Sequence, residues 1–230
     1  MDGVVNVFKP GGMTSSDVVV RLRKILKTKK IGHTGTLDPE VTGVLPICIG
    51  KATRLAEYLT EQGKTYRCEI TFGITTTTQD AYGEILKQES PHITEEDFIG
   101  ILPGFLGAIQ QIPPMFSAVK HQGKRLYELA RQGIEVERKP REIYITSIKL
   151  MEWVQEDYPK AVLEIDCSKG TYVRTLCHDM GERLGCGAHM SKLIRLRSGP
   201  FRLEDSVSLA SIEESVAKQD YSFLIPLPQV

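Results

Sequence analysis

Apolar and polar residues alternate strictly along residues 64–73 of the chain. This pattern is typical of a strand that is buried on one face. Two later segments, near 142–154 and 161–167, are rich in Ile, Val and Leu and also predict strands, and a further strand is predicted near 190–197. The apolar face of the first strand consists of Tyr66, Cys68, Ile70 and Phe72.

Other segments carry apolar residues at helical spacing. Residues 14–31 predict a helix that begins with a Thr14–Asp17 capping pair and ends at Gly32. Residues 170–184 predict a second helix with an apolar stripe for the core. Shorter helices are predicted after Thr53, after Thr94, over 124–132 and from Ser208.

These elements mix without a regular βαβ rhythm, which favours an α+β fold around a mixed, largely antiparallel sheet flanked by helices. The length of 230 residues suits one large domain or two small ones. Hydrophobic residues make up 41% of the chain and charged residues 25%, as in ordinary globular proteins.

Composition also limits where the protein acts. No apolar run approaches the roughly 20 residues that span a bilayer, so we expect no membrane association. The N-terminus lacks the features of a signal peptide, and the five cysteines show no C-x-x-C spacing. Both observations predict a cytoplasmic protein. The five histidines show no metal-ligand spacing, so we expect no metal site.

The net charge of zero conceals an uneven distribution. Residues 21–30 hold six basic residues and no acid, and residues 192–202 hold four basic residues and no acid. Such segments suit an RNA-binding face, and they suit a solvated helix surface equally well.

Residues 32–46, GHTGTLDPEVTGVLP, are too rich in Gly, Thr and Pro for regular structure and predict a loop that leads into a short apolar strand. Within this loop, the proline that follows Asp38 restricts the aspartate to extended geometry. A carboxylate held in this way is a candidate nucleophile or base. The alternative is an ordinary Asp-Pro turn whose side chain accepts a hydrogen bond from a nearby N–H.

This loop closely resembles the catalytic-loop motif of the tRNA pseudouridine synthase B family, whose members make pseudouridine at position 55 in the T-arm of tRNA. The resemblance extends over essentially the whole chain. It implies the pseudouridine synthase fold, with a catalytic cleft across the sheet and one catalytic domain over residues 1–230. The other matching segments are 8–15, 64–66, 76–83, 113–120, 123–133, 170–176 and 188–201.

The resemblance implies that Asp38 is the catalytic aspartate and that Arg174 pairs with it. A nearby guanidinium would keep the carboxylate ionised and fix its direction. The reaction breaks the N-glycosidic bond, turns the base over and rejoins it through carbon, so no metal or redox cofactor is required. An anion would stabilise the positive character of glycosidic cleavage. Attack on the sugar, attack on the base and simple proton removal all remain open.

Further residues correspond to positions that bind the substrate in the family. Tyr66 matches the tyrosine that stacks against the target base, a usual way to hold a splayed RNA base. His33 matches the histidine that helps to hold the flipped T-loop. Lys9 either supports the catalytic loop or contacts RNA. The remaining matches are Tyr172 and Leu193 in the substrate pocket and Asp80 in a polar network around it.

The expected partner is the T-arm stem-loop of tRNA, bound by a monomer. Arg125 and Arg131, together with the basic run 192–202, are candidate phosphate contacts, which set affinity and position. The insert around residues 113–140 resembles the family's RNA-gripping segment. Bacterial members usually continue into a C-terminal PUA domain, and we expect that domain to be absent from this chain.

Two other functions compete with the isomerase. One is a non-catalytic RNA-binding module that uses the same basic segments, although such a module needs no carboxylate chemistry. The other is a nucleoside glycosidase, which requires a second carboxylate close to the first. Glu40 is the nearest acid in the sequence to Asp38, and none of the matching segments offers an obvious partner.

Overall fold

The computed structural model describes residues 1–227 as strands, α-helices and short 3-10 helices. The 3-10 helices are Gly50–Leu55, Leu102–Phe105 and Leu203–Asp205. The α-helices are α1 (Ser15–Ile25), α2 (Ala56–Glu61), α3 (Glu95–Ile101), α4 (Leu126–Ala130), α5 (Val173–Arg183) and α6 (Leu209–Ala217). The strands are β1 (Gly3–Lys9), β2 (Ile31–His33), β3 (Thr42–Ile49), β4 (Lys64–Phe72), β5 (Ile74–Thr76), β6 (Ile85–Gln88), β7 (Gly107–Gln111), β8 (Lys120–His121), β9 (Lys124–Arg125), β10 (Arg141–Val154), β11 (Lys160–Cys167), β12 (Ala188–Ser198), β13 (Phe201–Arg202) and β14 (Leu224–Pro226).

The chain forms two compact units. Unit 1 comprises Met1–Tyr66 and the chain from Ile194 onward, and unit 2 comprises Arg67–Leu193. The strand pairing is mixed and mostly antiparallel, and helices accompany it, so the α+β prediction is confirmed. Within residues 1–227, none of the helices has both the length and the apolar composition that a membrane crossing requires.

Unit 1 is organised around β1 and β3. Strand β1 pairs antiparallel with β14 on one side and with β3 on the other, and β12 joins β3 in parallel through Ile194↔Thr42 and Arg195↔Gly43. Gly43 has φ +111°, and a Cβ at this position would collide with the Arg195 carbonyl oxygen. Glycine is therefore required where the loop that holds Asp38 enters the sheet.

Helix α1 begins as predicted and ends earlier. Thr14 and Asp17 form the expected capping box, but the helix ends at Ile25 and not at the residue before Gly32. Lys27 takes the left-handed conformation, with φ 49°, and Ile31 already pairs with Ile49 in the sheet. The pairing of β2 with β3 outweighs the helical preference of the basic segment.

The predicted cap at Thr53 is wrong. Its hydroxyl donates a 2.8 Å hydrogen bond to the carbonyl of Gly50 within the 3-10 helix, and α2 begins only at Ala56. By contrast, Thr94 and Ser208 cap α3 and α6 as the sequence indicates.

Unit 2 contains most of β4, from Arg67 onward, followed in the sheet by β11, β10 and β7, with β10 antiparallel to both β11 and β7. The alternating face of β4 is buried as predicted. Its last residue, Phe72, packs edge-on against Phe98 with ring centroids 5.1 Å apart, and Trp153 packs on both rings. This aromatic cluster ties α3 to the long strand β10.

The carboxyl of Asp179 on α5 is partly buried, and its ionisation affects the stability of the fold. Burial raises the pKa of this carboxyl to about 6, and the neighbouring His178 and Glu182 act in opposite directions on it. Between the unfolded pKa of 3.8 and the folded pKa of about 6, the folded chain binds a proton that the unfolded chain does not, so stability falls as the pH rises through this range and stays lower above it. We expect Asp179→Asn to stabilise the chain by about 1–2 kcal/mol at pH 7.5, after allowance for partial exposure.

Urea unfolding of both proteins at pH 7.5 and below pH 4 measures this difference. The stabilisation should shrink as the pH falls below 6 and disappear well below pH 3.8, where the carboxyl is protonated in both states. An equal gain at both pH values would show that the effect comes from packing and not from ionisation.

Candidate active site

A buried lysine anchors the loop that carries Asp38 by hydrogen bonds to backbone carbonyls. Lys9 is the last residue of β1 and is 0% exposed. Its Nζ donates to three backbone carbonyls: Pro10 at 2.8 Å, Met13 at 2.5 Å and Pro39 at 2.7 Å. Pro39 directly follows Asp38, so the ammonium fixes the backbone on the C-terminal side of the aspartate.

The residues before Asp38 are fixed as well. The backbone N–H of Leu37 donates to Ser15 Oγ at 2.9 Å, and this hydroxyl donates back to the Leu37 carbonyl at 3.3 Å. Further upstream, the backbone N–H of the buried Thr34 donates to the carbonyl of Pro46 at 3.1 Å. The half-buried Asp38 side chain therefore projects from a loop that is bound at several points. Fixing the backbone in this way lowers the entropy that a reactive conformation would otherwise lose.

Burial of the Lys9 ammonium lowers its pKa to about 8, while the carboxylates of Glu40 and Asp38 act to raise it. Three carbonyl acceptors compensate the buried charge. At neutral pH the lysine is therefore mainly charged, and its field favours an ionised Asp38.

A second buried cation, Arg195 on β12, is 1% exposed and bonds to the backbone on both sides of Asp38. Its Nε donates to the Val44 carbonyl at 2.7 Å and its Nη2 to the Gly35 carbonyl at 3.5 Å. Burial and, secondly, the charge of Arg195 lower the pKa of His33, so this imidazole is neutral at pH 7. His33 Nδ1 is buried and has no hydrogen-bond partner among residues 1–227.

In unit 2, Arg174 is 5% exposed and is surrounded by acceptors. Its Nη2 donates to the carbonyl of Phe116, and its Nη1 donates to the carbonyl of Thr78 at 3.4 Å. The same Nη1 lies 3.6 Å from Asp80 Oδ2. Asp80 Oδ1 in turn accepts from Thr78 Oγ1 at 2.6 Å and from the backbone N–H of Tyr82 at 3.0 Å. The guanidinium is therefore held in one direction by partners from two segments.

Three other residues predicted to bind the substrate lie on strands or at the start of a helix. Tyr66 is buried on β4, the half-buried Leu193 is on β12, and the half-buried Tyr172 directly precedes α5. Asp38, Tyr66, His33 and Lys9 belong to unit 1, whereas Arg174, Asp80, Tyr172 and Leu193 belong to unit 2. Among residues 1–227, no group of three or more His, Cys, Asp or Glu side chains is placed to hold a metal ion.

Two family models cover most of the chain. The model of the TruB family pseudouridylate synthase N-terminal domain matches residues 23–173, and the model of the tRNA pseudouridylate synthase B C-terminal domain matches residues 174–227. The chain belongs to the TruB family of pseudouridylate synthases. It is accordingly an isomerase that makes pseudouridine, and the family acts on tRNA.

Curated TruB relatives are similar over nearly the full chain. The tRNA pseudouridine synthase B of Pelotomaculum thermopropionicum is 54% identical over 222 residues, which are 95% of this chain and 70% of the relative. That of Listeria innocua is 55% identical over 231 residues, covering 99% of this chain and 76% of the relative.

Solved structures of pseudouridine synthases also superimpose on this TruB chain. The structure of a Cbf5-Nop10-Gar1 complex matches with 32% identity and a TM-score of 0.75, over 96% of this chain and 57% of that one. An H/ACA RNP bound to a substrate RNA containing 2'-deoxyuridine matches with 29% identity and a TM-score of 0.70, over 96% and 56%. The TruB chain thus spans less than two thirds of both chains. These likenesses agree with the predicted fold.

The structure corrects one of the interpretations made from charge. The run 192–202 was expected to contact phosphate, but Arg195 within it is buried and bonded to unit 1 carbonyls. Arg197 is also half-buried and donates to Thr65 Oγ1 at 2.9 Å. Of the four basic residues in this run, Lys192 and Arg202 are exposed. For Lys9, full burial of the ammonium and its three carbonyl acceptors favour support of the loop over contact with RNA.

The segment 123–133 keeps its basic side chains in solvent. Arg125 and Arg131 are both exposed, and their guanidinium groups lie 5.9 Å and 5.4 Å from the centre of the Tyr127 ring. Cation–π contacts of this kind hold an arginine in place while its N–H groups stay available. The predicted helix here is shorter than expected, because Lys124 and Arg125 pair with β8 before α4 begins.

Sequence reasoning missed Gln111, which is buried at the end of β7 and bonded to the backbone of Tyr172. Its only signal was a glutamine immediately before the Ile-Pro-Pro break. A glutamine at the end of a strand does not reveal its partner, because that partner is distant in the sequence.

Proposed function

We propose that this TruB chain converts the uridine at position 55 in the T-arm loop of tRNA to pseudouridine, with Asp38 as the nucleophile and Arg174 as its partner. The observation that carries the proposal is the support of the Asp38 loop by the buried Lys9 ammonium. Three hydrogen bonds from one ammonium hold the backbone beside the carboxylate. A preorganised charge stabilises a transition state without reorganisation during the reaction.

The chemistry requires no cosubstrate. The bond from C1′ of the ribose to N1 of the uracil breaks, the base turns, and a new bond forms from C1′ to C5. C5 loses a proton and N1 gains one, so substrate and product have the same atoms. Asp38 forms a covalent bond during this exchange and is regenerated at its end. Its negative charge also stabilises the positive character that develops on the sugar.

The remaining residues bind and hold the flipped nucleotide. Tyr66 provides a ring for the target base to stack on, and a neutral His33 occupies the space that the base vacates without adding charge. Tyr172 and Leu193 line the base pocket. The exposed Arg125 and Arg131 bind phosphates of the stem-loop. We further propose that the protein works as a cytoplasmic monomer.

Position-specific chemical mapping of pseudouridine on an unmodified tRNA transcript tests this function. We expect product at position 55 and nowhere else, and none in a transcript that carries cytidine at position 55. An isolated T-arm hairpin should also be modified, since the proposed contacts lie within that stem-loop. Binding of the transcript without product would instead indicate a non-catalytic RNA-binding module.

A further inference from the structure

The side chain of Gln111 bonds both backbone groups of one distant residue. Its Oε1 accepts from the N–H of Tyr172 at 2.8 Å, and its Nε2 donates to the carbonyl of Tyr172 at 3.1 Å. Gln111 is the last residue of β7 and is 2% exposed. Because β7 pairs on one side with β10, the amide extends the pairing pattern of the strand to the backbone of Tyr172. We name this pair of hydrogen bonds the Gln111 bridge.

The Gln111 bridge acts at the start of α5. Tyr172 is the N-cap residue of this helix, its backbone is extended, and no side chain caps the helix there. The carbonyl of Tyr172 also accepts the first intrahelical hydrogen bond, from the N–H of Leu176 at 3.0 Å. The glutamine amide therefore fixes the residue at which the helix begins, a function that a capping side chain usually performs.

The starting residue of α5 determines the direction of Arg174. Successive residues of an α-helix point about 100° apart around its axis, so a shift of the start by one residue would redirect every side chain. Arg174 is the second residue of α5, and its guanidinium meets Phe116, Thr78 and Asp80 in one orientation. The segment that follows β7 provides Phe116, so one stretch of chain holds both Tyr172 and Arg174.

The next residue of the helix is held in a similar way. Thr175 Oγ1 donates to Oε1 of Gln79 at 2.7 Å, and Gln79 has a left-handed backbone with φ 66°. A second glutamine amide thus bonds the chain immediately after Arg174. The two ends of the Tyr172–Thr175 stretch are therefore held by the side-chain amides of Gln111 and Gln79. These amides carry no charge, so they add no electrostatic field at the Arg174 guanidinium.

We propose that Gln111 is a positioning residue for the isomerase: its bridge to Tyr172 sets the start of α5 and so fixes the direction of the Arg174 guanidinium. The inference rests on the proposed function, in which Arg174 partners Asp38. Gln111 touches neither the substrate nor the reacting atoms. Its effect belongs to the chemical step and not to RNA affinity.

Gln111→Met tests the proposal, because methionine fills a similar volume and removes both hydrogen bonds of the bridge. We expect kcat for pseudouridine formation to fall about 10²-fold, the effect typical of a small misplacement of a reacting group. KM for tRNA should change less than about twofold, since the interactions that bind tRNA equally in the ground state and the transition state are unaffected. The matched control is Gln110→Met, at the exposed glutamine next to it on β7, which should keep the native kcat.

A double variant separates positioning from general destabilisation. If Gln111 acts through Arg174, Gln111→Met should lower kcat little further in an Arg174→Lys background, whereas a structural effect would lower it by the same factor in both backgrounds. Equal factors in both backgrounds, or a native kcat for Gln111→Met, would overturn the proposal. A native kcat for Arg174→Lys and Arg174→Ala would instead overturn the role given to Arg174 in the proposed function, and the positioning role with it.

Discussion

Asp38→Asn is expected to abolish pseudouridine formation while tRNA still binds. Asparagine has nearly the same shape as aspartate, so the loop held by Lys9 and Ser15 should keep its structure. The amide lacks the charge and the nucleophilicity of the carboxylate. Loss of a catalytic nucleophile lowers kcat by a factor on the order of 10⁴ to 10⁶. Single-turnover assays with position-specific mapping would show no product, and filter binding would show a Kd within about threefold of native.

Glu40→Gln is the matched control, because this acid lies two residues away in the same loop and is exposed. We expect it to keep near-native activity. A comparable loss in both variants would favour a mechanism with two carboxylates, as in a glycosidase. Free uracil among the products would support that alternative directly.

Lys9→Met is expected to lower kcat about 10²-fold, the effect of a small shift of the reacting carboxylate. Methionine fits the buried volume but leaves the carbonyls of Pro10, Met13 and Pro39 without their shared donor. The stability loss should stay below about 2 kcal/mol, because removal of a buried charge offsets part of the cost of the unpaired carbonyls. KM for tRNA should change little. Activity assays and urea unfolding of the same preparations measure both quantities.

Lys218→Met provides the comparison for Lys9. This lysine belongs to the same unit and is 69% exposed in an ion pair with Glu214, so its replacement should cost less than about 0.5 kcal/mol and leave kcat unchanged. If Lys9→Met raised KM and left kcat unchanged, the lysine would act on RNA binding, contrary to its buried position.

The sequence predicted elements well wherever local signals and tertiary contacts agree. The burial of the apolar face of β4 and the capping residues Thr94 and Ser208 are confirmed in the structure, although Thr65 and Thr71 on the other face of β4 are buried as well. The prediction for α1 failed at its C-terminal end, because Ile31 pairs with Ile49, a residue 18 positions away in the chain. A local pattern does not encode such a pairing.

The loop around Asp38 could be recognised from its residues, but its supports could not. A lysine or arginine in the sequence is expected at the surface, and 0% exposure of Lys9 and 1% exposure of Arg195 contradict that expectation. Besides the nearby Pro10 and Met13, the carbonyls that compensate these charges come from the more distant Pro39, Val44 and Gly35. Every residue has a carbonyl, so side-chain motifs give no sign of which ones will accept.

The internal hydrogen bonds of the Lys9 ammonium determine how the Asp38 loop responds to ionic strength. An ammonium has three N–H groups, and each of them here has a carbonyl acceptor inside the protein. No donor remains for a phosphate, and mobile ions screen a buried charge much less than an exposed one. If the exposed arginines bind the RNA as proposed, we expect ionic strength to weaken the association of the RNA and to leave the conformation of the Asp38 loop unchanged.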